Sequence, residues 1–411
     1  MRAAVAIGGW ALALLGCVRA PVAEPAPAAP APASVTPRPA ETGPRPLDAR
    51  VVGIEGDGRT LPIALATEGA ALLFTSGPGG VTRWAIDLEG ATAHVARAAP
   101  VDYRPAGGNA AYDRESDALF WTAPFAVRPS YGPQGSTSST QSHRVGGESG
   151  MAATIEACPS ATMLGAESCD HALAAIATMP DGLLLGGSLR GSEQSSAAPW
   201  LGLASRTGVL GARAVIGPDQ VGGLPATVAA LVPGAGSVLA AGLSMSRMPR
   251  LGWLTVLHGP SWTSPDRPIA TFGNLAESAW VAAARGAGSD YWVAWPRGSG
   301  EVTLLDVSDA AGIVKQRTVS GIDVAAQISV SVHVDRSLWL LVCENSLGGP
   351  PRRLRLFRLD PDTEEPAVEH ALVLPSAFYA HAIGWTAGHA LVAGRVGTER
   401  PALLVVSLPA D

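Results

Sequence analysis

Seven short apolar runs recur along this chain of 411 residues at a nearly constant spacing, and that recurrence limits what it can fold into more than any other feature. Each run has one layout: small and β-branched residues, a turn of Gly, Asp or Pro, then a strongly apolar stretch. The first three are ALATEGAALLFTS ending at Ser76, AAYDRESDALFWTA ending at Ala123 and AAIATMPDGLLLGG ending at Gly187. AALVPGAGSVLAAG ends at Gly242, AAARGAGSDYWVAW at Trp295, SVHVDRSLWLLVC at Cys343 and IGWTAGHALVAG at Gly394. Successive ends are 47, 64, 55, 53, 48 and 51 residues apart. Most units add a third apolar stretch closed by a polar turn, as in TRWAIDLEG from Thr82 to Gly90 and VTLLDVSDAAG from Val302 to Gly312.

A helical solenoid of this period needs apolar residues at i, i+3, i+4 and i+7, and these runs are too short and too often broken by Gly. Three or four strands per unit at this period describe an all-β fold, a β-propeller of seven blades. A ring must join its ends, because an open sheet edge invites aggregation. ARVVGI, Ala49 to Ile54, is a strand lying before the first unit, while the seventh unit is one strand short after Ser407. The N-terminal strand is therefore expected to complete the last blade.

Resemblances sharpen this reading without assigning an activity. The stretch Ala172 to Leu210, with Pro180-Asp181-Gly182 before Leu183 to Gly187 and a later Thr207-Gly208-Val209-Leu210 turn, resembles repeats of uncharacterised bacterial β-propeller proteins. Gly186-Gly187 after three leucines is similar to kelch repeats, although the later Tyr and Trp of each kelch blade are not repeated here. Lipid-anchored propellers of outer-membrane barrel assembly resemble the chain in architecture only. Their L-D-x-x-T-G motif is approximated once, from Leu359 to Glu364, and lacks the glycine.

The N-terminus supplies an address. Met1 and Arg2 precede an uncharged apolar run from Ala3 to Leu15. At 1.5 Å per residue such a run spans about 20 Å, short of the ~30 Å hydrocarbon core, as in a signal peptide. It ends in Leu14-Leu15-Gly16-Cys17, which resembles the bacterial lipobox. That resemblance implies a signal peptide over 1–16, lipidation of Cys17 and a membrane partner held through that lipid. An ordinary secretory signal with a chance cysteine is the alternative. Val18 after the cysteine implies the outer membrane, by resemblance to lipoprotein sorting in enteric bacteria. Residues 17–47 then form a Pro/Ala-rich tether that fixed φ and missing donors keep from folding. The propeller is expected over 48–411, with a Ser/Gly-rich insertion near 129–170.

Chemistry is sparse. A formal charge of −6 supplies no basic field for phosphates, which argues against nucleic acid. Cys158 and Cys169 are expected to pair as a disulfide in an oxidising compartment, whereas Cys343, inside LWLLVC, reads as a buried hydrophobe. Asp360, Asp362, Glu364 and Glu365 crowd one turn, better explained by a solvated hairpin than by calcium. Arg352, Arg353, Arg355 and Arg358 alternate with leucines as on a strand whose arginines face water. The insertion from Ser130 to Gly150 reads either as a partner-binding loop or as a disordered segment. No metal-ligand spacing, P-loop or nucleophile elbow is present, so neither metal nor cofactor is expected.

Two functions follow. The first is a non-enzymatic cell-envelope scaffold or binding protein that offers one propeller face to a protein or glycan. The second is a hydrolase of a sugar or lactone at the central channel, which requires convergent ionisable side chains there.

Overall fold

Strands that for the most part hydrogen-bond antiparallel to their neighbours in sequence give seven sheets, seen in a computed structural model of the chain. It describes residues 44–411 apart from 68, 102–109, 132–136, 149–151, 156–168, 192–197, 208–209, 217–225, 245–250, 260–269, 274–280, 287–289, 309–311, 323–326, 333–335, 345–352, 361, 364–366, 375–377, 397–399 and 410–411. The first described strands are β1 (Arg45–Pro46) and β2 (Ala49–Gly53). Blade 1 is β3 (Leu61–Ala66), β4 (Leu72–Gly77), β5 (Gly80–Asp87) and β6 (Thr92–Ala99). Blade 2 is β7 (Ala110–Asp113), β8 (Ala118–Tyr131), β9 (Thr137–Gly147) and β10 (Ala152–Ile155). Blade 3 is β11 (Cys169–Met179), β12 (Gly182–Gly191), β13 (Ala198–Ala204) and β14 (Leu210–Val215). Blade 4 is β15 (Ala226–Pro233), β16 (Ser237–Ser244), β17 (Gly252–His258) and β18 (Ala270–Phe272). Blade 5 is β19 (Ala282–Arg285), β20 (Asp290–Arg297), β21 (Glu301–Ser308) and β22 (Gly312–Ser320). Blade 6 is β23 (Gln327–Val332), β24 (Leu338–Glu344), β25 (Arg353–Leu359) and β26 (Val368–Val373). Blade 7 is β27 (Phe378–Trp385), β28 (His389–Val396) and β29 (Arg400–Ser407), completed by β2.

The first strand of each blade touches the first strand of the next, from β3 round to β27 and back to β3, so these seven strands form the inner ring of a closed propeller. The fold class and the blade count are those the repeat implies. The second strands explain why the repeat is so visible in sequence. A second strand has a blade packed on each of its faces, so nearly every residue is buried and the hydrophobic pattern is continuous rather than alternating. Leu338 to Cys343 of β24 are all buried. Even-numbered positions Leu338, Leu340 and Val342 pack on blade 5 with Leu304 and Trp292, while odd positions Trp339, Leu341 and Cys343 pack on blade 7 with Val392 and Leu404.

Closure follows the expected route. Ala49 to Gly53 pairs antiparallel with Val406 to Ala402 of β29, and Val52 and Ile54 join the cluster shared by blades 7 and 1. The segment before it is ordered too. Arg45 and Pro46 add a fifth, parallel strand to β26, and Leu47, 5% exposed, sits in the cluster between blades 6 and 7. The compact unit thus begins at Pro44, four residues before the boundary drawn from composition, because the Pro-rich stretch runs on into residues that pair with β26 and end in the buried Leu47.

Two local readings change. Arg355 does not face water: it is 9% exposed and bonds Glu344 and Glu369, while Arg358 stacks over Trp339. Strand alternation placed Arg355 outward, but its position at the seam with blade 5, where it also bonds the Gly321 carbonyl, turns it inward. The insertion is not loop throughout. Its first part prolongs β8 and β9 into a two-stranded ribbon running from Ala126 paired with Ser142 to Tyr131 paired with Thr137. The acidic turn is a hairpin turn as read, with Asp360 and Asp362 exposed and Asp360 Oδ1 accepting the Asp362 N–H at 2.9 Å; Glu364 and Glu365 lie outside the described residues.

Removing residues 44–54 takes away the closing strand and Leu47 together. The truncated chain is expected to lose its cooperative thermal transition, as followed by circular dichroism; a melt matching the parent's would show that the ladder between β2 and β29 does not hold the ring.

Candidate functional site

Seven inner strands converge on one axis, and the side chains they bring there are mostly alanine and aliphatic residues. The channel they enclose, about 330 Å³, is lined by Ile63, Ala64, Ala110, Ala175, Ala230, Ala282, Ile328 and Ala382, among other mostly apolar residues. Among the described residues His381 is the one ionisable side chain on its wall, and Ser329 accepts a hydrogen bond from Trp385 Nε1 at 3.0 Å. His381 owes its place to a β-bulge. The register between β27 and β28 slips between Ala380 and Ala382, so His381 is the extra residue on the inner strand. The same slip occurs in blade 1 between Pro62 and Ala64 and in blade 4 between Val228 and Ala230. Burial, and next the charge of Arg395, hold His381 below the ordinary histidine range.

In antiparallel blades, the turns between first and second strands lie on the same face as those between third and fourth. On this face the channel opens into a wider depression of about 660 Å³, bordered by turns of blades 1 to 5. Its chemistry is concentrated in the blade 2 turn, Asp113 to Asp117, which both neighbouring blades grip. From blade 3, Arg206 Nε bonds Asp113 Oδ2 at 2.6 Å and its Nη2 reaches Glu115 at 3.0 Å and the Met179 carbonyl at 3.0 Å. From blade 1, Arg83 bonds Asp117 Oδ1 at 2.7 Å and Glu148 Oε2 at 2.6 Å, and Glu148 also accepts the Leu119 N–H at 2.9 Å. Tyr112 donates to Asp117 Oδ1 at 2.6 Å.

These contacts set the charge states. Burial pushes the Asp113 carboxyl up, but the bonds from Arg206 and Ser116 outweigh it and hold Asp113 below its usual range. The Tyr112 hydroxyl is pushed up to about 12 by burial and by its bond to Asp117, so it stays a donor at neutral pH. The turn is thus rigid, ionised and open to solvent at Arg114, Glu115 and, across the depression, Arg285. Such a surface can recognise a polar partner. For hydrolysis the apolar channel offers His381 without a carboxylate beside it on the described wall.

The residues singled out in sequence are scattered with respect to this site. Cys17 and Cys158 lie outside the described residues, and Cys169 opens β11. Cys343 is buried between blades 6 and 7, with its thiol pushed up to about 12 by burial, as suits a packing residue. Sequence reasoning passed over Asp113 and Arg206, which are 93 residues apart. The one local signal was the charged turn DRESD, Asp113 to Asp117, in a repeat whose other turns are mainly Gly and Pro.

No family model matches the chain, and no curated protein matches it. Among solved structures it is similar to a prolyl endopeptidase at 13% identity and a TM-score of 0.45, over 90% of this chain and 50% of that one. The chain therefore spans half the length of that protein. It is similar also to YCF48 from Cyanidioschyzon merolae, at 12% identity and a TM-score of 0.44, over 87% of this chain and 98% of that one. Neither likeness transfers a residue or an activity.

The low position of His381 gives a signed pH dependence. The unfolded chain takes up a proton near the ordinary value of about 6.5, before the folded one does. Stability is therefore full above about pH 6.5 and is lost as pH falls through the folded value. His370, held low by burial and then by Arg45, acts in the same sense. Melting curves between pH 7.5 and 5 should fall less steeply for His381→Gln than for the parent, and identical slopes would contradict the environment assigned to His381.

Proposed function

We propose that this protein is a binding or scaffold protein of the cell envelope, tethered through lipid on Cys17, that presents the blade 1 to 5 mouth to a protein or glycan partner. The supporting observation is the depression itself. Its blade 2 turn is held at Asp113 and Asp117 by bonds from both flanking blades before any partner arrives, which lowers the entropic cost of recognition. Its volume falls within the range of about 300–1,000 Å³ usual for ligand pockets. Arg114 and Arg285 would meet acidic or hydroxyl-rich groups, while Met179, Pro180 and Pro233 supply apolar contact. The anchor rests on the signal sequence and its lipobox-like end, and the Pro/Ala segment would give the domain reach. At about 3.1 Å per extended residue, thirty such residues reach up to ~90 Å.

Two experiments test the two halves of this reading. With a photocrosslinking amino acid at Arg114, adducts with an envelope component are expected, and none with the same group at exposed Val95 on β6; equal labelling at both positions would remove the mouth as the site. Cys17→Ser should move the protein from the membrane to the soluble envelope fraction with its melting curve unchanged, and continued membrane association would refute the lipid anchor.

A further inference from the structure

Arginines in this fold meet carboxylates edge-on, through Nε and Nη2. Arg83 bonds Glu148 in this way at 3.3 and 2.6 Å, Arg355 bonds Glu369 at 2.7 and 3.0 Å, and Arg206 bonds Asp113 at 2.6 and 3.4 Å. Arg317 presents the same pair of nitrogens. Both are buried, and neither has a hydrogen-bond partner. A buried guanidinium edge without an acceptor is costly, so its persistence points to an acceptor that the fold does not supply.

The position is unexpected for a cation. β22 is the outer strand of blade 5, and Arg317 pairs in register with Leu304 of β21. Leu304 and Val319 belong to the apolar cluster between blades 5 and 6, so by strand alternation Arg317 lies in the row that faces blade 6. There the seam is not filled. A groove of about 520 Å³ opens between β22 and blade 6, walled by Phe357, Leu359 and Ala367 beside Arg317. Glu369 borders it too, but both its carboxylate oxygens are taken by Arg355.

We infer that this rim groove binds an extended acidic segment of a partner protein, with a Glu or Asp carboxylate seated on the Nε and Nη2 edge of Arg317. Charge complementarity with the Arg317 edge selects the acid. The apolar wall takes the alternate side chains of an extended chain. Two features of the rim favour an extended chain over a small acid. The far edge of β22 carries no strand among the described residues, and on the next blade the protein's own Arg45–Pro46 already lies as an added strand on β26.

The test uses a labelled pentapeptide alternating valine and glutamate, capped at both ends, and its glutamine counterpart, titrated against the full-length protein. The glutamate peptide should bind at least about tenfold more tightly, the worth of a charge-assisted bond pair, and added salt should weaken it. In Arg317→Met the two peptides should bind alike, and the variant should melt no lower than the parent, since it loses no internal bond. Equal binding of both peptides to the parent would overturn the inference. So would displacement of the peptide by acetate at equal concentration, which would indicate a small-acid site, or a lowered melting temperature of the variant, which would reveal an internal partner for Arg317.

Discussion

Every second strand in this protein is apolar on both faces, and no such strand is satisfied until a blade stands on each side of it. A row of six blades would leave two apolar faces in water, so the stable object is the closed ring. Closure rests on the ladder between β2 and β29, five register pairs from Ala49 with Val406 to Gly53 with Ala402 that link the two ends of the described chain. Val52 and Ile54 carry that link into the seam with blade 1, beside Leu73 and Trp84, and Leu47 carries it into the seam between blades 6 and 7. Each fully buried aliphatic side chain contributes about 1.5–3 kcal/mol by area. Three of them, with the ladder, are a large share of a net stability that is ordinarily about 5–15 kcal/mol.

Within the ring, the seams are fitted by size. On β16, Gly242 lies opposite Trp253, and a methyl group there would overlap both the indole and the Thr227 carbonyl. On β12, Gly186 lets Val228 of the next blade's inner strand approach, and Gly187 lies opposite Trp200. Glycine on one strand thus makes room for a bulky neighbour, Trp253 at Gly242 and the Phe378 ring at Gly394, which accounts for the glycines that end these apolar runs. The Arg83 and Glu148 pair serves the seam between blades 1 and 2 differently. With side chains 8% and 1% exposed, it gains little over an apolar pair, but losing one partner would strand a buried charge at a cost of about 3–5 kcal/mol. Its effect is directional, because it sets blade 2 at one angle to blade 1 and so fixes the Asp113 to Asp117 turn at the mouth.

What could be read from sequence follows the same division. Continuous apolar runs betray strands buried on both faces, so the blade count and the closing strand were legible from Ser76 to Gly394 and from Ala49 to Ile54. Leu47 was hidden because proline and alanine look alike in a tether and in a rim strand. Arg355 was misjudged because alternation along one strand ignores the neighbouring blade. The mouth and the rim groove were illegible for a deeper reason: Asp113 and Arg206, or Arg317 and Phe357, meet only because separate repeats are stacked in a circle.

Division of labour between core and edge follows. Inner strands bring mostly alanine and aliphatic side chains to the axis, so the described wall of the channel is apolar, His381 at its bulge being its one ionisable group. Charged side chains are carried instead by turns and by third and outer strands, where at the seams they are bonded to a neighbouring blade, as at Arg83 and Arg355. Blade 2 carries a charged turn locked by its neighbours, and blade 5 carries an arginine where its apolar row should continue. A ring this uniform inside makes such departures informative. Where an arginine at a seam or turn is matched, as at Arg83, Arg206 and Arg355, it orients blades, and where its buried edge is unmatched, as at Arg317, the missing carboxylate belongs to whatever the rim is built to hold.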